Sequence, residues 1–182
     1  MQECFPLMAQ STSQLAGRSA YQMGAFSLLA ATAVILAALG FEHLGGFDPC
    51  QLCLQQRYAY YVGIPLLFIA LVSLSVDRPR LATGLFALAS VIFLLNAGFG
   101  VYHSGIEWKL WEGPATCASG SLKPLSSSGA GLLKSLATRT VASCGEAQVR
   151  FLGLSFAGWN VIACLVLMTS TLKAAFQSSI LR

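Results

Sequence analysis

The stretch SAYQMGAFSLLAATAVILAALGF, residues 19–41, contains no Asp, Glu, Lys or Arg. Three further windows share this property: residues 58–76, 81–106 and 151–172. A helix needs roughly 20 apolar residues to cross the hydrocarbon core of a bilayer, and each window provides about that length. Because the windows are continuously apolar rather than alternating, spanning helices fit them better than barrel strands. The sequence predicts an all-α integral membrane four-helix bundle, with residues 1–182 forming a single domain.

Composition favours the same class of protein. Of the 182 residues, 55% are hydrophobic and only 10% are charged, which is far from a typical soluble domain. The net charge of +4 is spread thinly and forms no basic block, so nucleic-acid binding has no support. An alternative for the first window is a cleaved signal peptide, since Arg18 precedes it and residues 31–33 resemble a cleavage site. The run is longer than a signal core of roughly 7–15 residues, which favours a spanning helix.

The connections between the predicted spans indicate an orientation. Four spans place residues 42–56 and 107–150 on one face of the membrane and both termini on the other. The short turn at 77–80 is half arginine, whereas residues 42–56 contain no Lys or Arg. Because positive charge in short loops marks the cytoplasmic side, we expect cytoplasmic termini and two outer loops.

This orientation divides the six cysteines. Four of them fall on the outer face, where an oxidising compartment permits disulfides: Cys50, Cys53, Cys117 and Cys144. Cys164 lies inside the fourth window, and we interpret it as a small apolar packing residue. Cys4 is expected to be a free cytoplasmic thiol without a role.

The first outer pair belongs to the stretch FDPCQLCLQQRYAYY, residues 47–61. Asp48 and Pro49 predict a turn, so the thiols of Cys50 and Cys53 should occupy the first turn of the second helix. A helix N-terminus stabilises a thiolate and lowers its pKa. Arg57 follows Cys53 by four residues and should share its helical face, where it would stabilise a thiolate or bind a carbonyl ligand. The alternative is an interfacial arginine that reaches toward lipid head groups.

The second outer loop contains aromatic, titratable and small residues. Tyr102, Trp108 and Trp111 fit an interfacial aromatic belt. His103 ends the third span and is either an interfacial residue or a functional one. Residues 126–131 are rich in Ser and Gly and are flexible by composition. The apolar residues that follow share one stripe and predict a short surface helix: Leu132, Leu133, Leu136 and Val141.

Three uses of the Cys-x-x-Cys pair remain open on chemical grounds: metal binding, a static disulfide, or cycling between dithiol and disulfide. A zinc site would usually need a second close pair, whereas Cys117 and Cys144 lie far apart in sequence. We therefore predict no metal. A thioredoxin-type redox motif would need a βαβ unit, for which the chain has no room between its spans.

Taken together, several motifs resemble the DsbB family of membrane disulfide-forming oxidoreductases, over nearly the whole chain. They are FEH at the end of the first span, PCQLCLQQR, YHSGIEWKLWEGPATC after the third span, and RFLGLSFAGW leading into the fourth. The resemblance implies an enzyme of the bacterial inner membrane with both cysteine-pair loops periplasmic. It also implies a partner of the DsbA type, a periplasmic thioredoxin-like dithiol, and a membrane quinone as electron acceptor, either ubiquinone or menaquinone.

The resemblance also implies roles for individual residues. Cys117 would receive the partner thiolate, with Cys144 as its resolving mate. Cys50 would exchange with Cys144, and Cys53 would react with the quinone. Arg57 and His103 would assist at the quinone.

Two other functions remain as alternatives. One is a non-catalytic membrane protein with structural disulfides or a zinc site in its outer loops. The other is an enzyme of the same fold that serves a dedicated partner or works in the reducing direction. The length and Ser/Gly content of the second outer loop, and the extra thiols Cys4 and Cys164, depart from the family pattern.

Overall fold

The computed structural model describes residues 4–114, 144–145 and 150–181, with the side chains of the first helix described from Leu15 onward. Long helices occupy most of these residues: α1, Cys4–His43; α2, Gln51–Ser75; α3, Pro79–Glu107; and α4, Phe156–Ser179. Each of the four is long and apolar enough to cross a membrane. The prediction of an all-α four-helix membrane protein is confirmed. Cys117, the Ser/Gly-rich segment and the predicted surface helix lie outside the described residues.

Turn chemistry sets where the second and third helices begin. Pro49 precedes α2, and Cys50 is the N-cap residue with an extended backbone, φ −72° and ψ 165°. Before α3, Asp77 adopts a left-handed φ of 56° and Pro79 occupies the first turn of the helix. Proline suits this position because its fixed φ is helical and its missing N–H needs no partner there.

The beginning of the fourth span differs from the prediction. The apolar window begins at residue 151, but strands β1, Arg150–Phe151, and β2, Leu154–Ser155, form an antiparallel hairpin before α4. Leu152 and Gly153 turn the chain with φ values of 54° and 84°, as a tight hairpin requires. The Ser155 side chain then accepts a 3.2 Å hydrogen bond from the Gly158 N–H and caps α4. A left-handed turn and an N-cap therefore replace the first residues of the predicted span.

Small residues allow close packing of the helices. α3 packs most extensively on α4 and also contacts α2, while α1 packs on α4 and α2. A Cβ atom at Gly24 would lie 2.7 Å from the Phe86 ring, and one at Gly63 would lie 2.7 Å from the Phe93 ring. Each phenyl ring of α3 thus occupies space that a glycine leaves on a neighbouring helix, the kind of contact typical of membrane bundles. Large apolar side chains are exposed on the outside of the bundle, where lipid would cover them.

One end of the bundle brings distant parts of the chain together. Cys50 at the start of α2 contacts His103 near the end of α3. Cys144 packs against Cys50, Leu52 and Ile106 in a small buried cluster at this end. The connection before α2 and the described part of the connection after α3 therefore share one face, as four spans require.

Candidate functional site

The candidate site begins at the N-terminus of α2. Cys50 Sγ accepts a 3.2 Å hydrogen bond from the backbone N–H of Cys53, so the sulfur itself caps the helix. This confirms the prediction that the two thiols occupy the first turn. Cys50 is buried and Cys53 is half-buried, and both are free thiols. Because the first N–H groups of a helix carry partial positive charge, this position favours a thiolate at Cys50.

His103 supplies a second polar contact to the same sulfur. Its Nε2 lies 3.6 Å from Cys50 Sγ, and its Nδ1 lies 3.2 Å from Gln56 Nε2. The ring is 1% exposed, so water does not compete for these contacts. The structure therefore places His103 beside a thiol, rather than leaving it as an isolated interfacial side chain.

These contacts determine the charge of the Cys50 thiol. The hydrogen bond with Cys53, together with the hydrogen bond with His103, lowers the pKa of Cys50 to about 5. Burial opposes this effect, because removal from water disfavours the thiolate. The thiolate is the nucleophilic form of cysteine, and a low pKa also makes its sulfur a good leaving group. The resemblance assigned the reaction with quinone to Cys53, whereas the anion-stabilising contacts described above converge on Cys50.

Glu107 is a neighbour of this site that the sequence did not single out. Its Oε1 lies 3.9 Å from His103 Nε2, one helical turn further along α3. Its Oε2 is buried and has no hydrogen-bond partner among the described residues. A buried carboxyl group without full hydrogen bonding is costly, which makes Glu107 a candidate functional residue.

Arg57 has a different contact from the one expected. Its guanidinium forms an ion pair with Glu42, from the last turn of α1, and both side chains are partly buried. Among the described residues it makes no hydrogen bond to Cys50 or Cys53. The motif FEH therefore contributes the carboxylate that holds Arg57, a pairing across helices that spacing along one helix does not reveal.

Cys144 joins the site from the second outer loop. It is disulfide-bonded and 1% exposed. Its disulfide partner is none of Cys50, Cys53 and Cys164, because these three are free. Cys144 packs in the same buried cluster as Cys50, with Cys53 alongside. The structure thus brings three of the four predicted catalytic cysteines to one place.

Cys164 packs in the core as predicted, but its surroundings are more polar than the sequence suggested. Its sulfur accepts a 3.2 Å hydrogen bond from Asn96 Nδ2 and lies 3.4 Å from the Tyr60 hydroxyl. The prediction that Cys164 packs in the core is confirmed, and its sulfur makes these hydrogen-bond contacts in addition. An asparagine and a tyrosine within apolar windows were the available signal, because polar groups inside a membrane seek one another.

The thiols and His103 also meet one requirement of a metal site. The sulfurs of Cys50 and Cys53 and a ring nitrogen of His103 all lie within 4.8 Å of one another. Two thiolates and an imidazole are ligands that zinc accepts. The expectation that zinc would need a second close pair of cysteines overlooked a histidine from another helix.

These features define an integral membrane protein with a free thiol pair at the start of one spanning helix and a disulfide-bonded cysteine packed beside it. The family model described as Disulfide bond formation protein DsbB matches residues 21–174. The chain belongs to this family and is a disulfide-bond-formation membrane protein.

Individual relatives agree with this assignment. Disulfide bond formation protein B of Paracidovorax citrulli is 29% identical over 157 residues, covering 81% of this chain and 86% of that protein. The protein of the same name from Aromatoleum aromaticum is 30% identical over 141 residues, covering 75% and 82%. The one from Xylella fastidiosa is 28% identical over 152 residues, covering 81% and 84%. No solved structure gives a significant match to the chain.

Proposed function

We propose that this protein is a protein dithiol:quinone oxidoreductase. It reoxidises a DsbA-type periplasmic dithiol protein and passes two electrons through two cysteine pairs to a membrane quinone. The observation that carries the proposal is the packing of disulfide-bonded Cys144 against the free thiol of Cys50 in one buried cluster. Thiol–disulfide exchange needs such proximity between the two pairs.

The first exchange takes place between the partner and the outer disulfide, which we assign to Cys117 and Cys144. A partner thiolate attacks Cys117, the Cys117–Cys144 bond breaks, and Cys144 leaves as a thiolate. The second partner thiolate then displaces Cys117. The partner leaves with a disulfide, and two electrons remain on Cys117 and Cys144.

The second exchange moves these electrons inward, after Cys50 and Cys53 have been oxidised to a disulfide. The Cys144 thiolate attacks Cys50, and Cys53 leaves. Cys117 then attacks Cys144, which restores the outer disulfide and releases Cys50. The low pKa of Cys50 favours this release, because a more acidic thiol leaves faster.

The dithiol of Cys50 and Cys53 fits a quinone as its electron acceptor. Two thiols that become a disulfide release two electrons and two protons, which a bound quinone accepts to become a quinol. Cys53 is half-buried, and the Leu54 and Tyr58 side chains beside it on α2 are exposed toward the lipid. His103 would hold the Cys50 thiolate in place, and Arg57, one turn after Cys53, would bind a carbonyl oxygen.

The proposed location is the bacterial inner membrane, with cytoplasmic termini and periplasmic cysteine loops. The four apolar helices support a multi-pass membrane protein. The arginines in the short turn at 77–80 support its orientation.

Trapping tests the proposed path. With a reduced DsbA-type protein whose second active-site cysteine is replaced by serine, the unmodified chain should accumulate a mixed disulfide at Cys117, because the partner thiol that would displace Cys117 is missing. Cys53→Ser should lower quinone reduction to the uncatalysed background, while the control Cys4→Ser keeps the wild-type rate. A full rate in Cys53→Ser would contradict the proposal. Comparing the trapping of different DsbA-type proteins distinguishes a general partner from a dedicated one.

A metal-holding membrane protein is the second candidate function, supported by the closeness of Cys50, Cys53 and His103. Elemental analysis of the purified protein separates the two candidates. One tightly held zinc per chain, with no quinone reduction, would favour the metal-holding protein.

A further inference from the structure

A series of hydrogen bonds runs from Cys50 into the bundle and involves three helices. It passes from His103 of α3 to Gln56 of α2, then to Asn160 of α4, and returns to α2 at Tyr60. Gln56, His103 and Tyr60 are each at least nine-tenths buried. Satisfied polar groups in such an environment define one another's orientation, because a mismatched pair would leave a buried group unpaired.

The hydrogen bonds of this series all donate in one direction, from Tyr60 toward His103. The Tyr60 hydroxyl donates to Asn160 Oδ1 at 2.6 Å, and Asn160 Nδ2 donates to Gln56 Oε1 at 3.0 Å. The Gln56 amide oxygen is thereby directed at Asn160, and its nitrogen faces His103 Nδ1 at 3.2 Å. An amide nitrogen only donates, so Nδ1 must accept.

This requirement determines the form of the imidazole. When Nδ1 accepts, it carries no proton, and the single ring proton of neutral histidine lies on Nε2. Nε2 lies 3.6 Å from Cys50 Sγ and 3.9 Å from Glu107 Oε1. The nearer group is the sulfur that already accepts from the Cys53 N–H.

We propose that Gln56 is a positioning residue that holds His103 as the neutral Nε2–H tautomer, so that the ring donates its proton to Cys50 Sγ. Asn160 and Tyr60 orient the Gln56 amide. This inference rests on the proposed function, in which the Cys50 sulfur must be both an attack site and a leaving group.

This series of hydrogen bonds orients the side chains that form it and does not conduct protons. Side-chain amides of Gln56 and Asn160 have no readily exchanged protonation states, so no proton passes through them toward α4. A second proton at Nδ1 would also face the Gln56 N–H. Gln56 therefore favours a ring whose Nδ1 is unprotonated and whose Nε2–H donates to Cys50.

Nuclear magnetic resonance of ¹⁵N-labelled histidine tests the tautomer directly. The chain has two histidines, and exposed His43 is removed by His43→Gln, so that only the His103 signals remain. In the reduced full-length protein in detergent, we expect Nε2 protonated and Nδ1 unprotonated. The Nδ1–H tautomer in this protein would overturn the proposal.

Variants of Gln56 separate orientation from mere packing. Gln56→Leu should produce a mixture of the two tautomers. Gln56→Glu keeps the length of the side chain, and its ionised carboxylate offers Nδ1 only an acceptor, so Nδ1 should become protonated at a pH where this carboxylate is ionised. The matched control is Gln55→Leu, an exposed glutamine on the same helix, which should leave the tautomer unchanged. An unprotonated Nδ1 in Gln56→Glu would overturn the proposal, and this readout remains available if Gln56→Leu does not fold.

The S–H stretching band of Cys50, identified by subtracting the infrared spectrum of Cys50→Ser, provides a second readout. The pH midpoint of this band should rise in Gln56→Leu, by less than the roughly one unit, a tenfold change in ionisation, that corresponds to complete loss of one hydrogen bond to a charged group. An unchanged midpoint would contradict the proposal. Both measurements use reduced protein without quinone or partner, so they can fail while the proposed function stands.

Discussion

Cys50 and Cys164 are two buried thiols with different surroundings. Both sulfurs accept hydrogen bonds, but Cys50 caps the N-terminus of α2, whereas Cys164 lies inside α4. The Cys50 sulfur therefore accepts a hydrogen bond from a backbone N–H in the first turn of the helix, where such groups have no partner within the helix. It also contacts the His103 ring. In the described part of the chain, the polar contacts of the Cys164 sulfur are with the side chains of Asn96, Tyr60 and Asn160. The position of a thiol along its helix, rather than its burial, makes it suited to exchange.

The largest expected effect concerns activity. Cys50→Ser should reduce quinone reduction to background, because serine forms no disulfide with Cys53 or Cys144. Cys164→Ser should keep the activity of wild type, since its hydroxyl can accept from Asn96 in place of the sulfur. Quinone absorbance with a reduced DsbA-type partner measures both rates. Equal losses in the two variants would remove the distinction between the thiols.

A second expected effect concerns ionisation. Because the pKa of Cys50 is lowered to about 5, the thiolate dominates above that pH and the thiol below it. Its thiolate fraction should be about 99% at pH 7 and about 10% at pH 4. The infrared S–H band assigned by Cys50→Ser should thus be absent at pH 7 and appear at pH 4. A strong Cys50 band at pH 7 would contradict the lowered pKa.

Removing one hydrogen-bond donor from each of the two sulfurs should have different effects on the pH midpoint of Cys50. His103→Phe takes away the ring that contacts Cys50, and the pH midpoint of Cys50 should rise by about one unit. Asn96→Leu takes away the donor to Cys164 and should leave the Cys50 midpoint unchanged while shifting the Cys164 S–H frequency. Infrared titration of reduced protein provides both values. A shift of the Cys50 midpoint in Asn96→Leu would show that the two regions are coupled more strongly than their contacts suggest.

The smallest expected effect concerns Tyr60, which contacts both regions through Asn160 and Cys164. Tyr60→Phe should cost about 1 kcal/mol of the free energy of unfolding, the usual net contribution of one hydrogen bond. It should move the Cys50 midpoint by less than His103→Phe does. Thermal unfolding in detergent measures stability, with exposed Tyr58→Phe as the control. A larger loss in Tyr58→Phe would contradict the assignment of the Tyr60 hydroxyl.

The spans and the thiol position were predictable because they depend on local sequence. Windows without charge predict spanning helices, and Asp48 and Pro49 predict the turn that leaves Cys50 at a helix N-terminus. The hairpin at 150–155 was not predicted, because its residues are as apolar as the span that follows and Leu152 takes a left-handed φ that its residue type disfavours.

The contacts across helices could not be read from sequence spacing. Gln56 and Asn160 appear as single polar residues in apolar surroundings, and nothing local indicates that their amides meet. The sequence places Arg57 on the face of α2 that carries the thiols. Its ion pair with Glu42, however, depends on how α1 and α2 pack. A stronger signal was available in the rule that polar groups within membrane spans are usually functional.

The hairpin before α4 limits how far Cys144 can travel. The Trp159 indole N–H donates to the Phe151 carbonyl at 3.0 Å, and the rings of these residues lie 6.2 Å apart, so the hairpin is attached to the helix. Arg150 follows Cys144 by six positions, a tether of roughly 20 Å at full extension. A thiol confined to so small a volume has an effective concentration near its target in the millimolar range. The exchange with Cys50 would therefore be intramolecular in its kinetics, and its rate would not depend on the concentration of the partner protein.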